Sequence, residues 1–206
     1  MLRFKMKRMI VGDTRTFAVE SMITEAYARE GLRALGCFVI YVGGERYGVY
    51  ETNATLLANS FDEVTNRIDR RGLHDVPSAA EESPGAIADA FRETVYSDEP
   101  KDEYFGIPRD RFRDYIYSGD LLWAPDGDEA FDDGSYVLQF DVGDRVRLIA
   151  FRCGADGLHD PITLRDTWIA AADYYRILTD RHDAFENEWK SLPKREIWPQ
   201  GDRSSR

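Results

Sequence analysis

The sequence predicts an α+β domain, mainly an antiparallel sheet of about five to six strands with helices packed on one face. Three observations point there. Two stretches read as β-hairpins with glycine at the turn. Helical periodicity is confined to a middle block and a final segment. The resulting order of strand, hairpin, helices, hairpin, strand and helix keeps the two element types apart, unlike a βαβ series. A chain of 206 residues suits one such domain, and that size buries about 70 % of the unfolded surface without a disulfide or metal staple.

The first strand signal is residues 17–24. Phe17, Val19 and Ile23 fall on one face and Glu20 and Thr24 on the other, the period of a half-buried strand. Residues 36–42, Gly43-Gly44 and residues 45–50 read as a hairpin, because glycine tolerates the positive φ of a tight turn. Ser60 and Glu63 have the spacing of a capping box. Phe61, Val64 and Ile68 follow at helical spacing up to Gly72. Residues 74–83, rich in Ala, Ser and Glu, read as a loop. Ser83-Pro84 starts a second helix with proline at its first position, and Ile87, Ala90, Phe91 and Val95 form the apolar face. A short helix over 108–117 buries Phe112 and Ile116. Residues 135–141 and 145–151 make a second hairpin, whose alternation suggests one wetter face. Residues 162–168 add a strand. A long helix over about 170–190 carries Tyr174, Leu178, Phe185 and Trp189 along one stripe.

Catalytic chemistry is hard to find. His74, His159 and His182 do not share the spacing that puts two imidazoles on one metal. Cys37 and Cys153 lie in predicted strands and read as small buried hydrophobes. His159, six residues after Cys153, is the only nearby base for a thiol dyad. No nucleophile elbow, Walker-type loop or dinucleotide fingerprint occurs. No run approaches 18 apolar residues, so no membrane span is expected. No cofactor is expected. Two cysteines without a secretory signal fit reduced thiols in a cytoplasm.

Charge is the other signal. The formal net charge is −11, which disfavours a general nucleic-acid binder, because phosphate is repelled over most of the surface. Residues 1–8 carry four basic side chains and no acid. That leader fits an upstream start with Met9 as the functional one. The rest of the chain holds 23 of the 27 basic and all 38 acidic side chains, a net −15. From Asp114 to Asp133 there are seven acids and no base: Asp114, Asp120, Asp126, Asp128, Glu129, Asp132 and Asp133. Tyr115, Tyr117, Trp123 and Phe131 are interleaved. Three readings compete. The segment is a solvated loop whose aromatics dip into the core, or a surface for a basic partner, or a metal site. In the last, Asp126, Asp128 and Glu129 resemble a calcium loop without its ligand offsets. The surface reading makes Asp120, Trp123, Asp126, Asp128, Glu129, Asp132 and Asp133 the partner-binding residues.

The opening Met9, Ile10, Val11, Gly12 and Asp13, followed by residues 17–20, resembles that of immunity 42 family proteins of bacterial polymorphic toxin systems. The likeness continues through the hairpin with residues 36–40, the hairpin with residues 136–138 and 146–149, and a final helix ending near Trp189. The resemblance implies one domain over residues 9–192, with 193–206 as a tail. It implies a cytoplasmic, non-enzymatic protein that binds a cognate toxin domain of a polymorphic toxin or contact-dependent inhibition system. Many such toxins are nucleases with basic clefts, which suits an acidic inhibitor. The alternatives are a metal-dependent hydrolase using residues 126–133, and a small-molecule-binding regulatory domain.

Overall fold

A computed structural model describes residues 7–123, 129–154 and 157–196. The first five strands are β1 (Arg8–Asp13), β2 (Phe17–Ala26), β3 (Ala34–Val42), β4 (Glu45–Tyr47) and β5 (Thr55–Leu56). They form one antiparallel sheet in the order β1-β2-β3-β4, with β5 pairing β3. Gly12 in β1 has φ +106°, and a Cβ there would run into the carbonyl of Phe17. Gly36 in β3 lies so close to β2 that a Cβ would overlap the carbonyl of Met22. Both positions therefore require glycine. Gly43 and Gly44 take positive φ and close the β3–β4 hairpin as expected.

A second sheet holds β8 (Ser135–Val142), β9 (Arg145–Arg152) and β10 (Arg165–Ala170) in the order β10-β9-β8, all antiparallel. A small ribbon pairs β6 (Glu103–Tyr104) with β7 (Ile107–Pro108). The helices are α1 (Leu57–Asp69), α2 (Pro77–Ala80), α3 (Pro84–Tyr96), α4 (Arg109–Tyr117) and α5 (Ala171–Ser191). The α+β class and antiparallel pairing agree with the sequence. The strands divide between two main sheets, which hairpin patterns cannot show because they carry no information on which hairpin meets which.

Two cores hold the fold together. In the first, α1 and α5 pack on the five-stranded sheet and on one face of the second sheet. Phe38, Phe61, Trp123, Leu148, Tyr174, Leu178 and Phe185 meet there. Phe61 and Phe185 stack with centroids 3.7 Å apart. In the second, α2, α3 and α4 cover the other face of the second sheet, with Phe91, Phe112, Ile116, Phe140 and Phe151 inside. Both faces of β8 and β9 are thus buried, and the wetter face expected of this hairpin does not exist: Gln139, Asp141 and Arg147 are buried.

Other expectations shift locally. Ser60 is no cap: α1 begins at Leu57, and Ser60 is buried inside it. The Ala- and Ser-rich stretch forms α2, because its Ala79 and Ala80 join the second core. β10 begins at Arg165 rather than 162. Arg8, placed in the basic leader, already belongs to β1. Residue 195 of the expected tail is tied to β2 by Arg195 N–H to Ala26 O at 2.8 Å. Ser83 does cap α3, its hydroxyl accepting from Ala86 N–H at 3.3 Å. Ser83→Ala should lower stability by about 1 kcal/mol, read as a shifted urea midpoint at unchanged slope. Among the described residues no helix is long and apolar enough to cross a membrane.

Candidate functional site

The acidic segment is pinned by its aromatics. α4 buries Phe112 and Ile116 and leaves Asp114 exposed. The chain then turns through Asp120, whose φ is +52°. The Asp120 carboxylate pairs with Arg70 and accepts from the Asn66 amide at 3.1 Å. Residues 121–123 run beside β8: Gln139 N–H donates to Leu121 O at 2.8 Å and Trp123 N–H to Val137 O at 2.9 Å. Trp123 is 1 % exposed. Its indole N–H donates to the Tyr174 hydroxyl at 3.0 Å, and the Arg67 guanidinium lies 4.5 Å over its ring. Trp123 is therefore a core residue in this fold, with almost none of its surface presented to a partner.

Asp126 and Asp128 lie outside the described residues. Glu129–Phe131 forms a single 3-10 turn that buries Ala130 and Phe131 and leaves Glu129 exposed. Asp133 accepts from Ser135 N–H at 3.1 Å and pairs with Arg152 at 3.4 Å. Two of the predicted contact carboxylates, Asp120 and Asp133, thus face arginines of their own chain. Asp114, Glu129 and Asp132 are exposed and form no ion pair among the described residues. The structure agrees in part with the solvated-loop reading: Trp123 and Phe131 are core, Tyr115 is half-buried, Tyr117 is exposed, and part of the charge faces solvent.

Behind Trp123 lies a largely buried polar network that no motif in the sequence marks. Arg67 donates to Gln139 Oε1 at 2.9 Å, and the Tyr174 hydroxyl donates to the same oxygen at 2.6 Å. Gln139 Nε2 reaches Asp141 at 3.1 Å, and Tyr175 donates to both Asp141 oxygens at 2.9 Å. His74 Nδ1 is 3.0 Å from Asp141, and Gly72 N–H donates to it at 2.7 Å. Burial pushes the Asp141 carboxyl up. The His74 contact and the Tyr175 and Gln139 hydrogen bonds outweigh it and hold the pKa below its ordinary value. Burial raises both tyrosines well above theirs. Gln139 and Asp141 share the face of Val137, the one their polarity marks as wetter, so alternation alone points away from their burial.

A second buried carboxylate, Glu20, is 1 % exposed and accepts from Tyr41 at 2.8 Å, Tyr50 at 2.9 Å and Arg8 at 2.8 Å. The candidate nucleophiles are similarly occupied. Burial raises the Cys37 thiol to about 11. Arg92 donates to Cys153 Sγ at 2.7 Å. His159 Nδ1 is 2.6 Å from Asp89, which ties the loop after β9 to α3. Among the described residues no three His, Cys, Asp or Glu side chains converge as a metal would require.

A family model described as immunity protein 42 matches residues 9–184. No curated protein matches the chain. Among solved structures the fold is similar to that in the crystal structure of CdiI from Burkholderia dolosa AUO158. The TM-score is 0.54 at 15 % identity, with 85 % of this chain and 99 % of that chain covered.

Proposed function

The chain belongs to the immunity protein 42 family, and from that premise we propose that it protects its cell by binding a cognate toxin domain in the cytoplasm without turnover. The observation that carries the reading is the extent of the family match, from β1 to the last turns of α5. A fold shared with CdiI agrees with a contact-dependent inhibition system. The occupied state of the thiols and of His74 and His159 favours occlusion over catalysis. The exposed carboxylates Glu129 and Asp132, with Asp126 and Asp128 between Trp123 and Asp132 in sequence, suit a basic toxin such as a nuclease. Opposite charge raises the rate of encounter more than it changes final affinity.

The test is co-expression with the toxin domain encoded beside this gene. A tight one-to-one complex and rescue of growth are expected; absence of binding overturns the reading. Charge reversal of Asp126, Asp128, Glu129 and Asp132 to lysine should slow association by about tenfold at low salt, with a smaller effect on dissociation. The difference should shrink as salt rises, since exposed charges are screened. Unchanged association kinetics would place the interface elsewhere.

A further inference from the structure

We propose that the pocket between the end of α1 and the β10–α5 junction receives an acidic side chain of the toxin, held by Arg71 and Arg145. This rests on the reading that the chain binds a toxin. The pocket has a volume of about 320 Å³, with Ala170, Ala171 and Ala172 forming one wall. That is room for a side chain.

Both arginines are poised. The Arg71 guanidinium lies 5.0 Å from the ring centre of Tyr175, and Arg145 lies 4.9 Å from that of Trp168. A guanidinium packed over a ring keeps its in-plane N–H fork free for a carboxylate. Both are exposed, and among the described residues neither forms an ion pair. That is notable in a chain where acids outnumber bases 38 to 27. The carboxylate lining the pocket, Asp141, is no substitute partner, because it already accepts from Gly72, His74, Gln139 and Tyr175. Asp144, also at the pocket, forms no ion pair with either arginine.

The other features suit the same occupant. The alanine methyls suit the methylenes of a glutamate. Tyr175 and the two arginines line the cavity, and Tyr and Arg are enriched in interface hot spots. The two unpaired guanidiniums here also give a toxin held by acidic carboxylates elsewhere a defined orientation, because the two contacts have opposite sign.

Two measurements on the full chain test this. In the first, a doubly blocked glutamate is titrated and the side-chain Nε–Hε resonances of Arg71 and Arg145 are followed. Saturable shifts are expected with blocked glutamate and not with blocked glutamine. An equal response to both, or a response to inorganic phosphate alone, overturns the proposal. In the second, Arg71→Gln with Arg145→Gln should weaken toxin binding about 10- to 100-fold, through faster dissociation, with thermal unfolding unchanged. Binding within twofold of the native chain overturns the docking role. Arg111→Gln, on the exposed face of α4, serves as the control and should leave affinity unchanged. If the native chain fails to bind the toxin, the function reading falls, and the glutamate titration still decides the pocket.

Discussion

Trp123→Ala should cost about 3–5 kcal/mol of folding stability, the range for removing a large buried aromatic. The indole is closed in by Phe38, Arg67 and Tyr174. Its loss opens a cavity, strips Tyr174 of a donor and removes the ring under a buried cation. Domains of this kind are stable by about 5–15 kcal/mol, so the variant will show a much lower denaturant midpoint and a population of unfolded chain at working temperature. Trp123→Phe fills most of the space and should lose less. It also separates packing from recognition. If Trp123 acts only in the core, the folded Phe variant binds toxin with native association and dissociation rates. If it folds and binding is lost, Trp123 is a contact after all.

That residue shows where sequence reading stops. An aromatic among acids satisfies the composition of an interface and of a loop pinned to a core equally well. The choice depends on whether residues 121–123 lie against β8, which is a long-range fact. The same limit hid Arg67 and Arg181. Both fall on the buried stripes of their helices, three residues after Val64 and Leu178. Charge argues for solvent, and tertiary packing overrules it. Burial lowers the Arg181 pKa to about 10, and its guanidinium lies over Phe61 while donating to Ser21. The charge of Glu20 likewise predicts an outward side chain, and the sheet buries it. What was legible depended on short-range rules: the hairpin glycines, the Ser83 cap and the α4 and α5 stripes all hold, because each is decided within a few residues. β1 carries the family resemblance but no strand signal of its own. With its outward positions exposed, it lacks the apolar run that marks a buried strand.

Asp141→Ala should be the second large loss, about 3–5 kcal/mol, as for a buried ionic group whose partners are left behind. Five donors converge on this carboxylate: the amides of Gly72 and His74, the His74 ring, the Gln139 amide and the Tyr175 hydroxyl. The His74 and Gln139 donors have no water to turn to, because both residues are fully buried. The pH dependence follows from the direction of the shift. The folded pKa of Asp141 lies below its unfolded value, so the unfolded state takes up the proton first. Its contribution is complete above the unfolded pKa of about 3.9 and disappears as pH falls through the lower folded value. Native protein should therefore lose stability steeply below about pH 4, and Asp141→Asn, which cannot ionise, should start lower at neutral pH and show a shallower acid slope. Asp75 adds a check in the opposite sense. Burial, with the Asp141 charge as a second cause, raises its pKa; the Asn variant removes that neighbouring charge, so the Asp75 titration seen by NMR should move down. An unchanged acid slope in Asp141→Asn would show that the network does not hold its charge on Asp141.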